Sequence, residues 1–385
     1  MAGFSSLDNL ITNVSSSGKF WRADWNKNHA TAGTVVAGTW QCLAGGAGNP
    51  LANTQLGGTT LVPQTCYDFG ATSGGIQHGG NVSADWTGYK VILNASAYSA
   101  VAASCPAVMM LVDLLQVIPL ANATIVATGT DAYLTQESCT MAIATDLVTY
   151  TTDYPTYTPV SFSGGTVPTD VANDGTIYWT VRQGATTAKL ATSLQNAIAG
   201  TTINMTGSDS TPTVTMSVRL PRYQDGVGVQ QLMVASTAST ATAATIQHTY
   251  TNAAGTDDKV TPTSPSLPIS TAITPLLGVP YSGAALGKYG PFMPLAAGDT
   301  GTRRMKNIIL TTNGVTTGVF NTCLVKPLLT LPLSVVGVAS ERDLVNQIPS
   351  MPRVYDGACL VWLIYAGAVI TNNTSYYGHI DFGWS

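Results

Sequence analysis

Charged side chains are scarce in this sequence. Asp, Glu, Lys and Arg make up 9% of 385 residues, against roughly 25% in an average globular protein. Glutamate occurs twice, as Glu137 and Glu341. Helical surfaces are normally covered by Glu, Lys and Arg, whereas Thr and Val favour pleated surfaces. We therefore expect an all-β protein with a neutral, hydroxyl-rich exterior, and its 7 Trp and 16 Tyr argue against disorder.

Basic clusters, an export signal and a membrane span are also missing. The formal net charge is −4, which excludes the electrostatic footprint of a nucleic-acid-binding protein. The N-terminus has no charged region followed by an apolar core. The apolar run from Cys359 to Ile370 is shorter than the roughly 20 residues that cross a bilayer. We expect no nucleic-acid or membrane partner, and assembly in the cytoplasm.

Six widely spaced cysteines form no CxxC pair, so the sequence predicts neither a zinc site nor a redox motif. An even number permits three disulfides. Without an export signal, buried free thiols are the favoured interpretation.

Catalytic motifs are absent as well. The four histidines have no metal-binding spacing, and there is no nucleophile elbow, P-loop or dinucleotide fingerprint. We therefore predict no catalytic residue, no cofactor and no metal. Asp113 lies inside the apolar run VMMLVDLLQV, where a carboxylate must be paired or point outward. Pairing with Arg219 or Arg222 is favoured over a catalytic acid with a raised pKa.

Short apolar pieces separated by Gly, Pro, Asn and Ser predict buried strands. The stretch from His78 to Leu120 contains the longest apolar run of the first half and is expected to form the core of the main domain. Residues 306–325 predict a hairpin that turns at Asn313-Gly314. Residues 359–371 predict a buried strand, and residues 375–385 a strand at a sheet edge.

The N-terminus carries the best helix signal, over residues 5–18. Its apolar residues recur at helical spacing, with Ser5 or Ser6 as a cap and Gly18 at the end. Residues 19–27 follow as the densest cluster of charge and aromatics. This segment either folds onto its own domain or forms an arm that docks on a neighbouring subunit. The predicted contact residues of such an arm are Phe20, Trp21, Arg22 and Trp25.

Turn signals at short spacing and the alternation in TIYWTV indicate a small β module inserted into the main domain. The expected organisation is an N-terminal helix and arm (1–27), a main β domain in two parts (28–125 and 216–385) and the inserted module (126–215). The main domain is expected to be jelly-roll-like or a β-sandwich.

Two sets of segments carry a family likeness. GKFWRADWNK at 18–27, HGGNVSADW at 78–86, MLVDLL at 110–115 and LPRYQDGVGV at 220–229 together resemble a group of tailed-bacteriophage virion structural proteins. The module at about 145–207, with its SGGT turn, GTIYW strand and TTAKLATS piece, is similar to a β module of many phage structural and tail proteins. The resemblance implies no catalytic residues.

The resemblance and the composition together suggest a decoration, or cement, protein on the outside of a capsid. Its partners would be the major capsid protein and itself, as a homotrimer. Deleting residues 1–27 is then expected to weaken incorporation into particles without unfolding the remainder. The alternatives are a tail or receptor-binding protein whose module binds host glycan, a carbohydrate-active enzyme, and a major capsid shell protein. A deep cleft where two acids and a histidine converge would contradict the non-enzymatic prediction.

Overall fold

A computed structural model describes residues 4–29, 37–57, 61–69, 73–79, 89–101, 104–121, 129–237, 245–263, 277–278, 290–310, 319–347, 351–371 and 373–385. The fold is all-β, which confirms the predicted class. No helix in these ranges is long and apolar enough to span a membrane.

The strands are β1 (Phe20–Asn28), β2 (Thr39–Cys42), β3 (Gly48–Asn49), β4 (Gln64–Thr65), β5 (Lys90–Tyr98), β6 (Ala107–Ala121), β7 (Gly129–Ala132), β8 (Gln136–Ala142), β9 (Leu147–Thr149), β10 (Pro159–Ser163), β11 (Ile177–Gly184) and β12 (Thr187–Ala191). They continue with β13 (Val214–Val218), β14 (Gln230–Thr237), β15 (Ile246–Asn252), β16 (Lys259–Val260), β17 (Leu277–Gly278), β18 (Thr302–Leu310), β19 (Val319–Leu333), β20 (Ser340–Asp343), β21 (Arg353–Val354), β22 (Leu360–Ala366) and β23 (Ser375–Trp384). The helices are α1 (Leu7–Ile11), α2 (Leu194–Ala199) and α3 (Leu344–Gln347), with a π-helical turn at Thr12–Ser16 and 3₁₀ turns at Leu43–Gly45 and Gln55–Gly57.

The predicted N-terminal helix is confirmed. The Ser6 hydroxyl accepts a hydrogen bond from the Asn9 N–H at 3.0 Å and caps α1. Gly18 follows the π-helical turn with φ +66°, a conformation that glycine adopts without steric cost. Leu10 is buried, whereas Leu7 and Ile11 are exposed, so the apolar face of this short helix is only partly covered.

The first sheet has the strand order β20-β5-β23-β1-β3, and β21 also pairs with β5. The C-terminal strand β23 lies between β5 and β1 and pairs with both, so the predicted edge position of this tail is wrong. Its side chains Tyr376, Ile380 and Phe382 are buried. A strand with one face in the core and partners on both sides is an interior strand.

Residues 20–28 form β1, which pairs with β23 along its whole length. The backbone of this segment is therefore folded onto its own domain. Deleting residues 1–27 would remove nearly all of a sheet strand, with the buried residues Ala23, Trp25 and Lys27. This loss of core residues argues against the expectation that the remainder stays folded after the deletion.

The second sheet is built around β6 and β19, two strands of 15 residues each. The order β19-β14-β17-β2-β22-β6 is closed by pairing between β19 and β6, and β4 also pairs with β6. From Leu111 to Leu120 every residue of β6 is buried, which confirms this part of the predicted core stretch. Residues 80–88 of that stretch lie outside the described ranges.

The first sheet packs face to face on the second, as in a β-sandwich. Ile92, Ala95 and Phe382 of the first sheet form one core with Leu111 and Trp362 of the second. The predicted buried strand near the C-terminus is β22, of which Tyr365 alone is not fully buried.

A third sheet, β16-β15-β18-β7, packs against the second through a separate core that includes Leu115, Tyr250 and Ile308. The predicted hairpin is wrong in its pairing, because β18 belongs to this third sheet and β19 to the second. Its turn residues, Asn313-Gly314, lie outside the described ranges.

Six strands between Gln136 and Val218 close into a barrel with the order β10-β11-β12-β9-β8-β13. The interior holds its own core, with Phe162, Tyr178 and Leu190 among its members. The barrel begins inside the region 126–215, for which the sequence predicts an inserted module, and ends three residues past it, at Val218. It contacts the rest of the chain through Tyr67, whose hydroxyl donates to the Tyr157 carbonyl at 2.9 Å.

Candidate functional site

The four predicted contact residues all lie on β1. Side chains alternate between the two faces of a strand, and Ala23 and Trp25 face the core. Phe20 and Arg22 therefore lie on the outer face of the first sheet, while Trp21 lies on the inner face near its rim. Phe20 is 39% exposed and Trp21 is 47% exposed. Large apolar side chains this exposed are candidates for contact with another protein.

Trp25 occupies a different environment from the other three. It is 3% exposed, and its ring centre lies 5.2 Å from that of Trp362. The pair belongs to the core between the first and second sheets. Trp25 therefore packs inside its own chain, which leaves Phe20, Trp21 and Arg22 as the predicted contact residues at the surface.

Arg22 is held in place by Asp381 on the neighbouring strand. Its Nε and Nη2 donate to the two carboxylate oxygens at 2.7 and 2.8 Å. These hydrogen bonds to Asp381 are the main reason that the pKa of Arg22 is raised. Half of the Arg22 side chain is exposed, so solvent screens the pair and its contribution to stability is small. Its effect is to fix the direction of the guanidinium on the outer face.

The edge of β1 that faces away from β23 is mostly open. Asn28 donates its N–H to Ala47 on this side at 2.8 Å, so the peptide groups of the even-numbered residues of β1 point here. The short strand β3 pairs with Asn26 and Lys27. In the part of the chain that the structure describes, no strand pairs with residues 20–24 on this side. The Asn49 side-chain amide donates to the Asp24 carbonyl at 3.3 Å, so the peptide groups of Phe20 and Arg22 are the ones that no described strand pairs with here. We call this segment, with its side chains Phe20, Trp21 and Arg22, the β1 edge.

Asp113 and Arg222 form a buried ion pair, which confirms the predicted pairing. Arg222 donates to the two carboxylate oxygens of Asp113 at 2.9 and 2.7 Å. It also donates to the carbonyls of Cys66 and Leu114, and Asp113 accepts from the Cys359 N–H at 3.0 Å. Burial lowers the pKa of Arg222, but the Asp113 charge and hydrogen bonds outweigh it and raise the pKa overall. The guanidinium therefore stays charged.

Two acids and a histidine converge at one place in the fold, together with a lysine. His78 Nδ1 lies 3.1 Å from Lys90 Nζ, and His78 Nε2 lies 3.0 Å from the Ala358 carbonyl oxygen. Lys90 Nζ is 2.7 Å from Asp356 Oδ1, and His78 Nε2 is 3.6 Å from Asp68 Oδ2. We call Asp68, His78, Lys90 and Asp356 the buried cluster.

The buried cluster is packed inside the protein rather than placed in an open cleft. The side chains of His78 and Lys90 are each 1% exposed, and the His78 ring lies 5.5 Å from that of Phe382. Burial raises the pKa of Asp68 to about 6 and lowers the pKa of His78 to about 3. His78 is therefore neutral at pH 7, and its lone pair is directed at Lys90.

A surface groove of about 630 Å³ lies beside the β21 segment. Lys326 Nζ lies 5.4 Å from the centre of the Tyr223 ring, and the Arg353 guanidinium lies 4.2 Å from that of Tyr355. These cations cover the ring faces on which a sugar would stack. We therefore do not assign the groove as a glycan-binding site. The lining residues are Tyr223, Gln224, Asp225, Val227, Lys326, Pro327, Leu328, Met351, Pro352, Arg353 and Tyr355.

The cysteines and histidines supply no further site. All six cysteines are free thiols, and five of them are buried, as predicted. His248 is buried and hydrogen-bonded to Gln231 at 2.9 Å. Among the described residues, no group of three or more His, Cys, Asp or Glu side chains is arranged to hold a metal ion.

The buried cluster is not among the sites predicted from the sequence. Asp68, His78, Lys90 and Asp356 come from four separate segments, and no local spacing relates them. One available signal was Lys90 itself, a lysine directly before the apolar strand residues Val91, Ile92 and Leu93.

Comparisons with known proteins give no family for this chain. No protein-family model and no curated protein matches it. A structure of infectious bursal disease virus, Gt strain, aligns with 77% of this chain and 81% of its own at 10% identity and a TM-score of 0.12. A mutant VP2 protein of the same virus, from T=1 particles, aligns with 77% of this chain and 78% of its own at 9% identity and a TM-score of 0.10. Scores this low carry no argument about fold or function.

Proposed function

We propose that this chain is a non-enzymatic structural protein of a virus particle, and that it decorates and stabilises the outside of a tailed-phage capsid. The observation that carries the proposal is the β1 edge, where no strand of the described ranges pairs with residues 20–24 and where Phe20 and Trp21 are exposed. The capsid protein is the partner of this edge, and the subunits associate as a homotrimer.

An open strand edge is an unusual surface for a protein to expose. Its unpaired N–H and C=O groups form a template for another strand, and proteins normally shorten, charge or cover such edges. Strand addition supplies main-chain hydrogen bonds, while neighbouring side chains supply specificity. At the β1 edge Phe20 and Trp21 are aromatic anchors, and Arg22 is already oriented by Asp381.

The non-enzymatic part of the proposal is supported by the packing of the buried cluster. A catalytic acid or base must come within hydrogen-bond reach of its substrate. His78 and Lys90 are 1% exposed, so a substrate cannot reach them without unpacking the core. Among the described residues that line the groove, Asp225 is the one carboxylate, and none is a histidine, serine or cysteine.

The test is binding to capsids that lack the protein. Replacing Phe20 and Trp21 together by alanine is expected to weaken binding at least about tenfold, because buried aromatic anchors dominate protein interfaces. The matched control replaces Val335 and Val338, both 58% exposed, by alanine and should bind normally. Both variants should retain the thermal stability of the parent. Unchanged binding of the Phe20 and Trp21 variant would remove the β1 edge from the proposal.

Subunit association is tested by light scattering on the purified protein. A molar mass equal to three chains supports the homotrimer. A molar mass equal to one chain at all accessible concentrations contradicts it. Binding to host cells in place of capsids would favour the alternative of a tail or receptor-binding protein. A glycan array would then identify whether the barrel is responsible.

A further inference from the structure

The buried cluster places an amine against a carboxylate inside the protein. Lys90 begins β5 in the first sheet, and Asp356 lies between β21 and β22. Lys90 Nζ is 2.7 Å from Asp356 Oδ1, with the two side chains 1% and 11% exposed. Intramolecular reactions are fast where the reacting atoms are held about 3–3.5 Å apart. The carboxyl carbon of Asp356 is bonded to Oδ1, so it lies within about 4 Å of Nζ.

We propose that Lys90 and Asp356 condense into an intramolecular isopeptide bond, between Nζ of Lys90 and Cγ of Asp356. The bond that forms is N–C, and the bond that breaks is one C–O bond of the Asp356 carboxyl group. One water molecule leaves. No oxidant, reductant or cofactor is needed, since the oxidation states of nitrogen and carbon do not change.

The proton movements follow from the contacts of the two groups. The Lys90 ammonium passes one proton to the Asp356 carboxylate, whose Oδ1 lies 2.7 Å from Nζ, which gives a neutral amine and a neutral acid. The amine lone pair then attacks Cγ. The nitrogen loses its second proton to His78 Nδ1, which lies 3.1 Å away. The departing hydroxyl takes that proton from His78 and leaves as water, so that His78 returns to its neutral form.

His78 is oriented for the role of general base. Its Nε2 donates to the Ala358 carbonyl oxygen at 3.0 Å, so the proton resides on Nε2 and the Nδ1 lone pair faces Lys90. Phe382 packs against the ring. Exclusion of bulk water by the surrounding core opposes hydrolysis of the amide.

The bond would tie β5 to the segment that leads from the first sheet to the second. Lys90 pairs with Val354 of β21 in the first sheet, and Asp356 lies two residues after β21 and four residues before β22 of the second. A covalent link there would hold this connecting segment on β5. The inference concerns this chain alone and is independent of the proposed capsid partner.

The test is the intact mass of the full-length, denatured protein. The parent is expected to be lighter than its sequence mass by one water, and Asp356→Asn by one ammonia. Lys90→Arg and Asp356→Ala should show the full sequence mass. Protease digestion should yield a branched peptide containing Lys90 and Asp356. The exposed pair Lys306–Asp258 has the same 2.7 Å separation and serves as an internal control that should stay unlinked.

Two results would overturn the proposal. One is a parent protein with its full sequence mass, which is informative whether or not any variant folds. The other is loss of water that persists in Lys90→Arg, because Asp356 precedes Gly357 and could instead close a succinimide ring on its own backbone. Recovery of the branched peptide distinguishes the cross-link from that ring.

Discussion

Asp113 has a full set of partners in the core, because Arg222 donates to both of its oxygens and Cys359 supplies a backbone donor. Removing one member of a buried ion pair leaves the other charge without compensation, at a cost of about 3–5 kcal/mol. Arg222→Ala is therefore expected to lower the free energy of unfolding by this amount, measured by denaturant titration.

A matched control is the exposed pair Arg182–Asp153, which is also bidentate, at 2.9 and 3.0 Å. Its side chains are 40% and 57% exposed, and exposed pairs contribute at most about 1 kcal/mol. Arg182→Ala should therefore change stability little. Equal effects of the two substitutions would show that burial of the Asp113 pair is not what makes it important.

Asp68 gives the protein a specific dependence on pH. Burial raises its folded-state pKa from 3.8 to about 6, so the folded protein keeps a proton that the unfolded chain releases. The free energy of unfolding then falls as pH rises from about 4 to about 6, by at most about 3 kcal/mol. The Asp68→Asn substitution removes this loss of stability at higher pH, because asparagine does not ionise. We expect the variant to gain stability relative to the parent between pH 4 and pH 7.

The measurement is thermal or denaturant unfolding of both proteins across that pH range. The comparison variant is Asp174→Asn. Hydrogen bonds from Thr176 lower the pKa of Asp174, so the dependence of stability on pH that this carboxylate causes has the opposite sign to that of Asp68. A parent and an Asp68→Asn variant with parallel stability profiles would show that Asp68 titrates normally.

At the residue level, the sequence predicts what depends on local chemistry. The Asp113 pairing follows because a lone carboxylate in an apolar run requires a cation, and Arg222 lies in the next segment of similar character. The burial of Trp25 does not follow, because it depends on pairing with β23. That strand is more than 300 positions away along the chain, and Trp21, four residues earlier, has the same local composition.

At the level of elements, helix α1 was predictable because its cap and apolar spacing lie within one short segment. The strands themselves were predictable from apolar runs and turn residues, but their partners were not. The prediction of a hairpin between β18 and β19 is wrong. Asn-Gly between two strands indicates a local turn, whereas each of these strands pairs with more distant partners.

The barrel is the element most suited to independent folding. Its six strands close on themselves, so the ring leaves no open edge strand, and its core includes the buried residues Val148, Phe162 and Leu190. We expect a fragment of residues 135–219 to fold alone, with a cooperative heat transition and a near-ultraviolet circular dichroism signal from its packed aromatics.

The matched variant is Phe162→Ala in the same fragment. Removing a fully buried phenylalanine costs about 3–5 kcal/mol, and a domain of this size has little stability beyond that. The variant should lose the cooperative transition. A parent fragment without such a transition would show that the barrel depends on the contacts it makes with Tyr67 and its neighbours.

At the scale of the whole molecule, the three sheets are connected by strands that are distant in sequence. The first sheet pairs the two ends of the chain, β1 with β23, and the second pairs β6 with β19 across the barrel insertion. Composition could predict the all-β class because it depends on average surface and core chemistry. It could not predict this arrangement, since register and strand order arise from contacts over the full length of the chain.

The low charge of the whole molecule also determines how it should respond to salt. With 9% charged residues and a net charge of −4, the protein has no strong field to steer or hold a partner. The proposed attachment through the β1 edge would depend on strand pairing and aromatic burial, which salt screens weakly. The affinity for capsids is therefore expected to change less than about threefold between about 50 mM and about 500 mM salt, although the screening length shortens severalfold. Equilibrium binding across this range measures it, and a steep loss of affinity would indicate a contact dominated by ion pairs.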